Sequence, residues 1–216
     1  MSEDPFPGRR KQLVEGELRV AGICDERVLS AISTIPREVF CEDSEREYAY
    51  ENRPLPIPCG QTISQPYIVA LMTEALECHP DDRVLEIGTG SGYAAAVLAQ
   101  LVDRVYTIER HSALAENAST RFQSLGYDNI HVRVGDGTRG WPEHAPFDGI
   151  VITAAGPKIP PSLKQQLKTG GRLVMPLEEA PGTQQLIKIT RTSHETFRRE
   201  ELGPVRFVPL IGEEAF

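Results

Sequence analysis

Two stretches of the chain group polar side chains and glycines at spacings that suit chemistry. The first is Gly60-Gln61-Thr62-Ile63-Ser64-Gln65-Pro66, two amides and two hydroxyls set just before an apolar run that a proline opens. Thr62 and Ser64 stand two residues apart and project to one side of an extended segment. Hydroxyls placed this way can donate to a carboxylate and orient it. Ser64 or Thr62 can equally cap a helix that starts at Pro66. Gln61 can shape the loop or close over a ligand. The second stretch is Glu86-Ile87-Gly88-Thr89-Gly90-Ser91-Gly92. Glycines at a strand-to-helix turn let the main chain bend tightly and approach a ligand closely. Such a turn, at the carboxyl end of a strand, forms the usual ligand crevice of an α/β sheet. Glu109 falls 19 residues after Gly90, at the end of the next apolar run. A carboxylate there can accept both hydroxyls of a ribose.

Two cofactor classes compete for this pattern, a dinucleotide and S-adenosyl-L-methionine. The glycines run G-x-G-x-G rather than G-x-G-x-x-G, and position 93 is a tyrosine. Glu86 adds an acid beside the crevice that could receive the ammonium of a methionine moiety. Asp136, within Gly135-Asp136-Gly137, is placed to bond the exocyclic amine of an adenine, with Gly137 beside it. Three carboxylates around one crevice favour a ligand with a sulfonium and an amine over a phosphate-rich one. The residues therefore point to the methyl donor. The alternative is a set of capping and turn carboxylates around no ligand.

The elements that must position these residues follow from periodicity. Asp25 is a natural cap for a helix through Val28, Ala31, Ile32 and Ile35 that stops at Pro36. Residues 1–80 read as helices and loops that carry the substrate box, within the same domain as a donor-binding core over residues 81–216. That core shows strands at 83–87, 104–109, 131–134 and 147–153, with helices at 93–101, 111–125 and 160–168. Gly170 and Gly171 are expected to end the last helix. Further strands are expected at 172–175, 185–190 and 205–208. Strands alternating with helices indicate βαβ units. The later strands lack long helices between them, so antiparallel pairing is expected at that edge. The fold class is thus α/β: a doubly wound, mainly parallel sheet with N-terminal helices and an antiparallel C-terminal edge.

Composition narrows the partners. The chain has 216 residues, 40% of them hydrophobic and 25% charged, with a net charge of −8. That balance argues against a nucleic-acid backbone or an anionic membrane as the main partner. The triplet Arg9-Arg10-Lys11 reads as a solvated end. No run reaches the roughly 18 apolar residues of a membrane helix, and residues 1–12 have no apolar core of a secretory signal. Cys24, Cys41, Cys59 and Cys78 are spaced 17, 18 and 19 residues apart without a C-x-x-C pair. A reduced, cytoplasmic protein without a structural metal is expected, and a monomer.

With the donor assigned, the polar box gains a partner. The chain resembles the protein-L-isoaspartate (D-aspartate) O-methyltransferases at Gly60 to Pro66, Val84 to Tyr93, Gly135 to Gly137, Ile152 to Ala155 and Val208 to Leu210. The resemblance implies methyl transfer from S-adenosyl-L-methionine to the α-carboxylate of L-isoaspartyl residues in damaged proteins, with S-adenosyl-L-homocysteine as product. D-aspartyl residues are a further candidate acceptor. The ester then closes spontaneously to a succinimide, and its hydrolysis restores some normal aspartate.

The resemblance also implies that Ser64, supported by Thr62, contacts the acceptor. Glu86, Gly88, Gly90, Glu109, Asp136 and Gly137 would hold the donor, and Gln61, Thr153 and Val208 would touch the substrate. An acceptor carboxylate is already ionised at neutral pH and needs no general base. The absence of a Ser-His-Asp set is therefore expected. Residues 205–210 offer either an edge for an extended peptide or a buried last strand. Trp141 would line the adenine side or pack in the core. One departure is Cys59, where the family more often has a ring-bearing residue; the smaller side chain is expected to loosen or widen the pocket. Two rival readings remain: a carboxyl methyltransferase for a defined biosynthetic peptide, and a non-catalytic donor-binding module.

Overall fold

The computed structural model describes residues 6–216, so the secretory-signal reading over residues 1–12 lies partly outside the described residues, whereas the basic triplet lies within them. Arg10, within them, is not a solvated end. Its guanidinium bonds the Tyr50 hydroxyl at 2.8 Å and pairs with Glu38 at 3.3 Å.

The N-terminal part comprises α1 (Phe6–Leu13), α2 (Glu26–Thr34), a small antiparallel pair β1 (Leu55–Ile57) and β2 (Gln61–Ile63), and α3 (Pro66–Ala75). Asp25 caps α2 as expected, accepting from the Arg27 N–H at 2.9 Å. The β1–β2 pair was not foreseen. Its three-residue strands sit among prolines and polar residues, too short for a period-two signal, and register Pro56 against Thr62.

The core alternates β3 (Arg83–Ile87), α4 (Tyr93–Ala99), β4 (Arg104–Glu109), α5 (Ser112–Ser124), β5 (Ile130–Val134), β6 (Phe147–Ile152) and α6 (Pro161–Gln166). The chain then continues as β7 (Leu167–Ala180), β8 (Thr183–Arg191) and β9 (Phe197–Val205). The sheet order is β5-β4-β3-β6-β7-β8-β9. Pairing is parallel from β5 through to β7 and antiparallel across β7, β8 and β9. The order reverses between β3 and β6, and a crevice opens at their carboxyl ends.

Two sequence expectations fail at the C-terminal edge. Gly170 and Gly171 do not end a helix; they lie inside β7, where pairing with β6 shifts register between Phe147 and Gly149. A Cβ on Gly171 would stand 2.7 Å from the Asp148 carbonyl oxygen, so only glycine lets the two strands close there. The last strand is β9 rather than residues 205–208. It carries Arg198, Arg199, Glu200 and Glu201, the charged character that protects an exposed sheet edge. Its charges hid it from a search for apolar runs.

Alternation along the strands makes two apolar layers. Val84, Val105, Val151 and Val174 face a layer with Leu13, Ile32, Ile63, Val69, Ala96 and Phe122, from the N-terminal elements, α4 and α5. Leu85, Tyr106, Ile150 and Leu173 face the other layer with Leu163, Trp141 and Leu210. Trp141 therefore packs in the core, against Tyr106 at 5.6 Å between ring centroids, and does not reach the crevice. Leu173 is fully buried in the second layer. Leu173→Ala should cost about 2–5 kcal/mol, read as a lower denaturant midpoint with an unchanged slope.

Candidate active site

The crevice is a cavity of about 520 Å³. Its floor is built at strand ends, from Ile87 and Gly88 after β3, Ile108 and Glu109 at the end of β4, Gly137 after β5, and Thr153 after β6. Gln61, Thr62, Ser64 and Tyr93 form one wall, and the extended segment from Pro204 to Ile211 forms another. Ser64 thus stands across a single cavity from Gly88, Gly90 and Glu109.

The glycine turn is conformationally specified. Gly88 has φ +99° and Gly90 φ +54°. A Cβ on Gly88 would also run into the Thr153 hydroxyl, which donates to the carbonyl oxygens of Ile87 and Gly88 at 3.0 and 2.9 Å. Thr153 is in the wall, but its hydroxyl locks this loop. Gly137 has no room for a Cβ either, because Ile87 lies against it. Glu109 is 5% exposed. One carboxylate oxygen accepts from the Gly90 N–H at 2.9 Å and the other from the His111 N–H at 3.0 Å. Each oxygen keeps lone-pair capacity toward the cavity, the arrangement that two neighbouring ribose hydroxyls require. The glycine cradle and this carboxylate fit the nucleoside part of a methyl donor.

Two of the three expected carboxylates do not reach the cavity. Glu86 shares a sheet face with Val84 and Val151, not with Ile87, so alternation turns it into the core at 0% exposure. One of its oxygens accepts from Thr107 at 2.5 Å and the other has no partner among the described residues. Burial pushes its pKa up to about 8; the Thr107 hydroxyl opposes that rise and the Glu109 charge adds to it. Glu86 is therefore mostly neutral at pH 7, and no direct grip on an ammonium is available to it. It connects to the wall through Thr107 and Thr89, whose hydroxyls are 2.6 Å apart. Asp136 is also outside the cavity wall. It accepts from the Thr138 N–H and hydroxyl at 2.9 and 2.7 Å and from the Glu213 N–H at 2.8 Å. Partial burial opposes its ionisation, but the Glu213 and Thr138 hydrogen bonds prevail and hold its carboxyl below the ordinary value. Asp136 fastens the C-terminal tail at Glu213 and leaves Gly137 as the residue in the wall.

The hydroxyl box behaves differently. The residue at the N-cap of α3 is Gln65, without a side-chain cap bond, and the Tyr67 N–H is met at 3.0 Å by Asn52. Among the described residues the Ser64 hydroxyl makes no hydrogen bond, and Ser64 lines the cavity. Thr62 is exposed at the cavity mouth. Gln61 shapes the turn, its amide donating to the Cys59 carbonyl at 3.0 Å. Cys59 has φ +61°, is exposed, and does not line the cavity, so its size does not set the pocket width. Val208 is in the wall with its carbonyl oxygen bonded to the Ala155 N–H at 2.8 Å. The Gln184 side chain matches both main-chain groups of Phe207, at 2.6 and 3.1 Å. Val205 ends β9, and residues 206–210 are a strap fixed to the loop after β6 and to β8, neither a free edge nor a regular strand. Tyr93, Arg110, His111 and Arg206 also line the cavity; no sequence spacing singled them out.

The chain as a whole is similar to known proteins. The family model of protein-L-isoaspartate(D-aspartate) O-methyltransferase matches residues 8–215. The chain belongs to this family. A protein-L-isoaspartate O-methyltransferase of Brucella anthropi is 54% identical over 211 residues, spanning 98% of this chain and 97% of that protein. One of Pelobacter propionicus is 55% identical over 208 residues, spanning 96% and 92%. A solved protein-L-isoaspartate O-methyltransferase superposes with a TM-score of 0.87 at 29% identity, covering 95% of this chain and 67% of that one. A beta-aspartate methyltransferase from Plasmodium falciparum, in complex with S-adenosyl-L-homocysteine, superposes with a TM-score of 0.80 at 26% identity, covering 94% and 98%.

Two measurements test this description. Gly88→Ala should raise the donor Kd roughly tenfold or more, equivalent to about 1.4 kcal/mol, by isothermal titration calorimetry on folded protein. For Glu86, the unfolded carboxyl titrates near 4.5 and the folded one near about 8. In that window the folded state holds a proton that the unfolded state has released, so stability falls as pH rises. Thermal melts of the donor-free protein should show Glu86→Gln gaining on the wild type from pH 5 to about 8, then levelling. A pH-independent gap would contradict the assignment.

Proposed function

We propose that the chain transfers a methyl group from S-adenosyl-L-methionine to the α-carboxylate of L-isoaspartyl residues in proteins and peptides, the first step of their repair. The observation that carries this reading is the unspent hydroxyl of Ser64, in one cavity with Gly88, Gly90 and Glu109. When bound, the donor supplies an electrophilic methyl on a sulfonium.

The protein's own part is positioning. Glu109 and the glycine turn hold the nucleoside, with Gly137 on the adenine side. Ser64, with Thr62 at the mouth, donates to the acceptor carboxylate and aims one oxygen at the methyl. The carboxylate arrives ionised, so no side chain removes a proton. Alignment in a partly enclosed site supplies the rate, and exclusion of water favours a step that neutralises two opposite charges. Thr153 shapes the floor beside the reacting centre. Val208 and Arg206 line the side of the cavity along which an extended peptide lies, with Gln61 holding the turn at residues 59–61.

Residues 6–80 and 81–216 work as one domain, because the acceptor box rides on helices that share a buried layer with β3. Among the described residues no helix is long and apolar enough to cross a membrane, and the four thiols are unpaired. The reading takes the chain as a cytoplasmic monomer, and its net charge of −8 argues against nucleic acid or an anionic membrane as a partner.

The deciding experiment is transfer of a radioactive methyl group to an isoaspartyl peptide beside its aspartyl twin. Label is expected on the isoaspartyl peptide alone. Equal labelling would favour a carboxyl methyltransferase for a defined peptide, and donor binding without transfer a binding module. Ser64→Ala should lower kcat and leave the donor Kd nearly unchanged. Glu109→Ala should weaken donor binding by about 1–3 kcal/mol. Loss of donor binding in folded Ser64→Ala would refute this division of roles.

A further inference from the structure

Arg37 is the largest fully buried side chain among the described residues, at 0% exposure. It begins the turn Arg37–Phe40 that follows α2 and points inward beneath the cavity wall. Its Nε donates to the Ala49 carbonyl at 2.8 Å and its Nη2 to the Ser64 carbonyl at 3.0 Å. The guanidinium carbon lies 4.7 Å from the centroid of the Tyr93 ring. Among the described residues, Nη1 and the buried Tyr93 hydroxyl each lack a partner in good hydrogen-bond geometry, although the hydroxyl supports the guanidinium electrostatically. No carboxylate among the described residues pairs with it, because Glu38, its neighbour in sequence, turns to Arg10 and Tyr50.

A buried, unpaired cation costs on the order of several kcal/mol. Burial pushes the Arg37 pKa below its ordinary value, yet an arginine starts high enough to stay protonated at neutral pH. Ser64 and Tyr93 both line the cavity, and Arg37 stands one side chain behind them. Under the proposed function, the group that arrives at Ser64 is an anion.

We infer that Arg37 is a positioning residue for the acceptor. It fixes the Ser64 main chain and supplies, from behind the wall, the positive potential that selects a carboxylate over an uncharged acyl group. This rests on the proposed methyl transfer. Its placement resolves a conflict in the chemistry. A direct arginine fork would occupy the carboxylate oxygens and blunt their nucleophilicity. A charge held one layer back still attracts the anion through a medium of low dielectric. Because transfer neutralises the carboxylate, this attraction is stronger before the transition state than in it. Its loss therefore raises KM without lowering kcat through this attraction.

The test measures the Kd of an isoaspartyl peptide and of its twin bearing an α-carboxamide. Both bind the full chain loaded with S-adenosyl-L-homocysteine, in the wild type, Arg37→Met and Arg37→Lys. The wild type should bind the acid roughly tenfold or more tightly than the amide. Arg37→Met should bring that ratio to about one, with the donor Kd unchanged, and Arg37→Lys should keep most of it because the charge persists. A ratio near one in the wild type, or both peptides weakened equally in Arg37→Met, overturns the inference.

Should Arg37→Met lack a cooperative melt, Arg37→Lys and a salt series on the wild type decide. A buried source keeps the acid preference between about 0.05 and 0.5 M salt. A preference that collapses with salt belongs to the exposed Arg110 and Arg206 and overturns the inference. Methyl transfer by the same wild-type preparation separates failure of the function from failure of this inference, since transfer with an unchanged ratio sinks only the latter.

Discussion

The position of the acceptor box is set by burial of one face of the central sheet. Val84, Val151 and Val174 must be covered, and Ile63, Val69, Ala70 and Met72 cover them together with α1 and α2. Ile63 and Val69 flank Ser64 in sequence, so the hydrophobic demand of the sheet draws that serine to the rim of the strand ends. The donor half of the site is local to β3 and β4. The acceptor half is brought there by non-directional packing and then oriented by a few directed hydrogen bonds.

Those bonds divide the polar groups into two kinds. Some are spent on the scaffold: Thr153 on the Gly88 loop, Gln61 on the Cys59 turn, Asp136 on the C-terminal tail, Asn52 on the start of α3. Others keep capacity for a ligand, chiefly the Ser64 hydroxyl and the outward lone pairs of Glu109. Asn52 meets the Tyr67 N–H at the start of α3, a bond the Ser64 hydroxyl does not make.

The electrostatic design is likewise layered. At neutral pH the acid that alternation places behind the donor loop is held mostly neutral by burial, while the cation behind the acceptor wall keeps its charge because arginine starts so high. Around a reaction that joins a cation to an anion, the wall itself carries few charges: Glu109 on the floor, and Arg110 and Arg206 at the exposed rim. Strong partners in direct contact would stabilise the separated ions and slow their combination.

Much of this was legible in the residues. Apolar runs closed by glycine or acid located β3, β4 and β6 almost to the residue, and the Asp25 cap and Pro36 bounded α2. The glycine turn and Glu109 were legible from their spacing, and the hydroxyl box was joined to them through the family resemblance. Glu86 misled because both faces of β3 are buried, so its side-chain period does not reveal which face meets the crevice. Asp136 misled because its partners, Thr138 apart, arrive from the far C-terminus. Arg37 has no signature at all; a lone arginine after a helix reads as surface. The sequence alone determined the order of the elements and the kinds of groups available, since both depend on neighbours along the chain. Only the tertiary structure decided which groups face the cavity and which are spent on other partners, since burial and hydrogen-bond satisfaction depend on residues far apart in sequence.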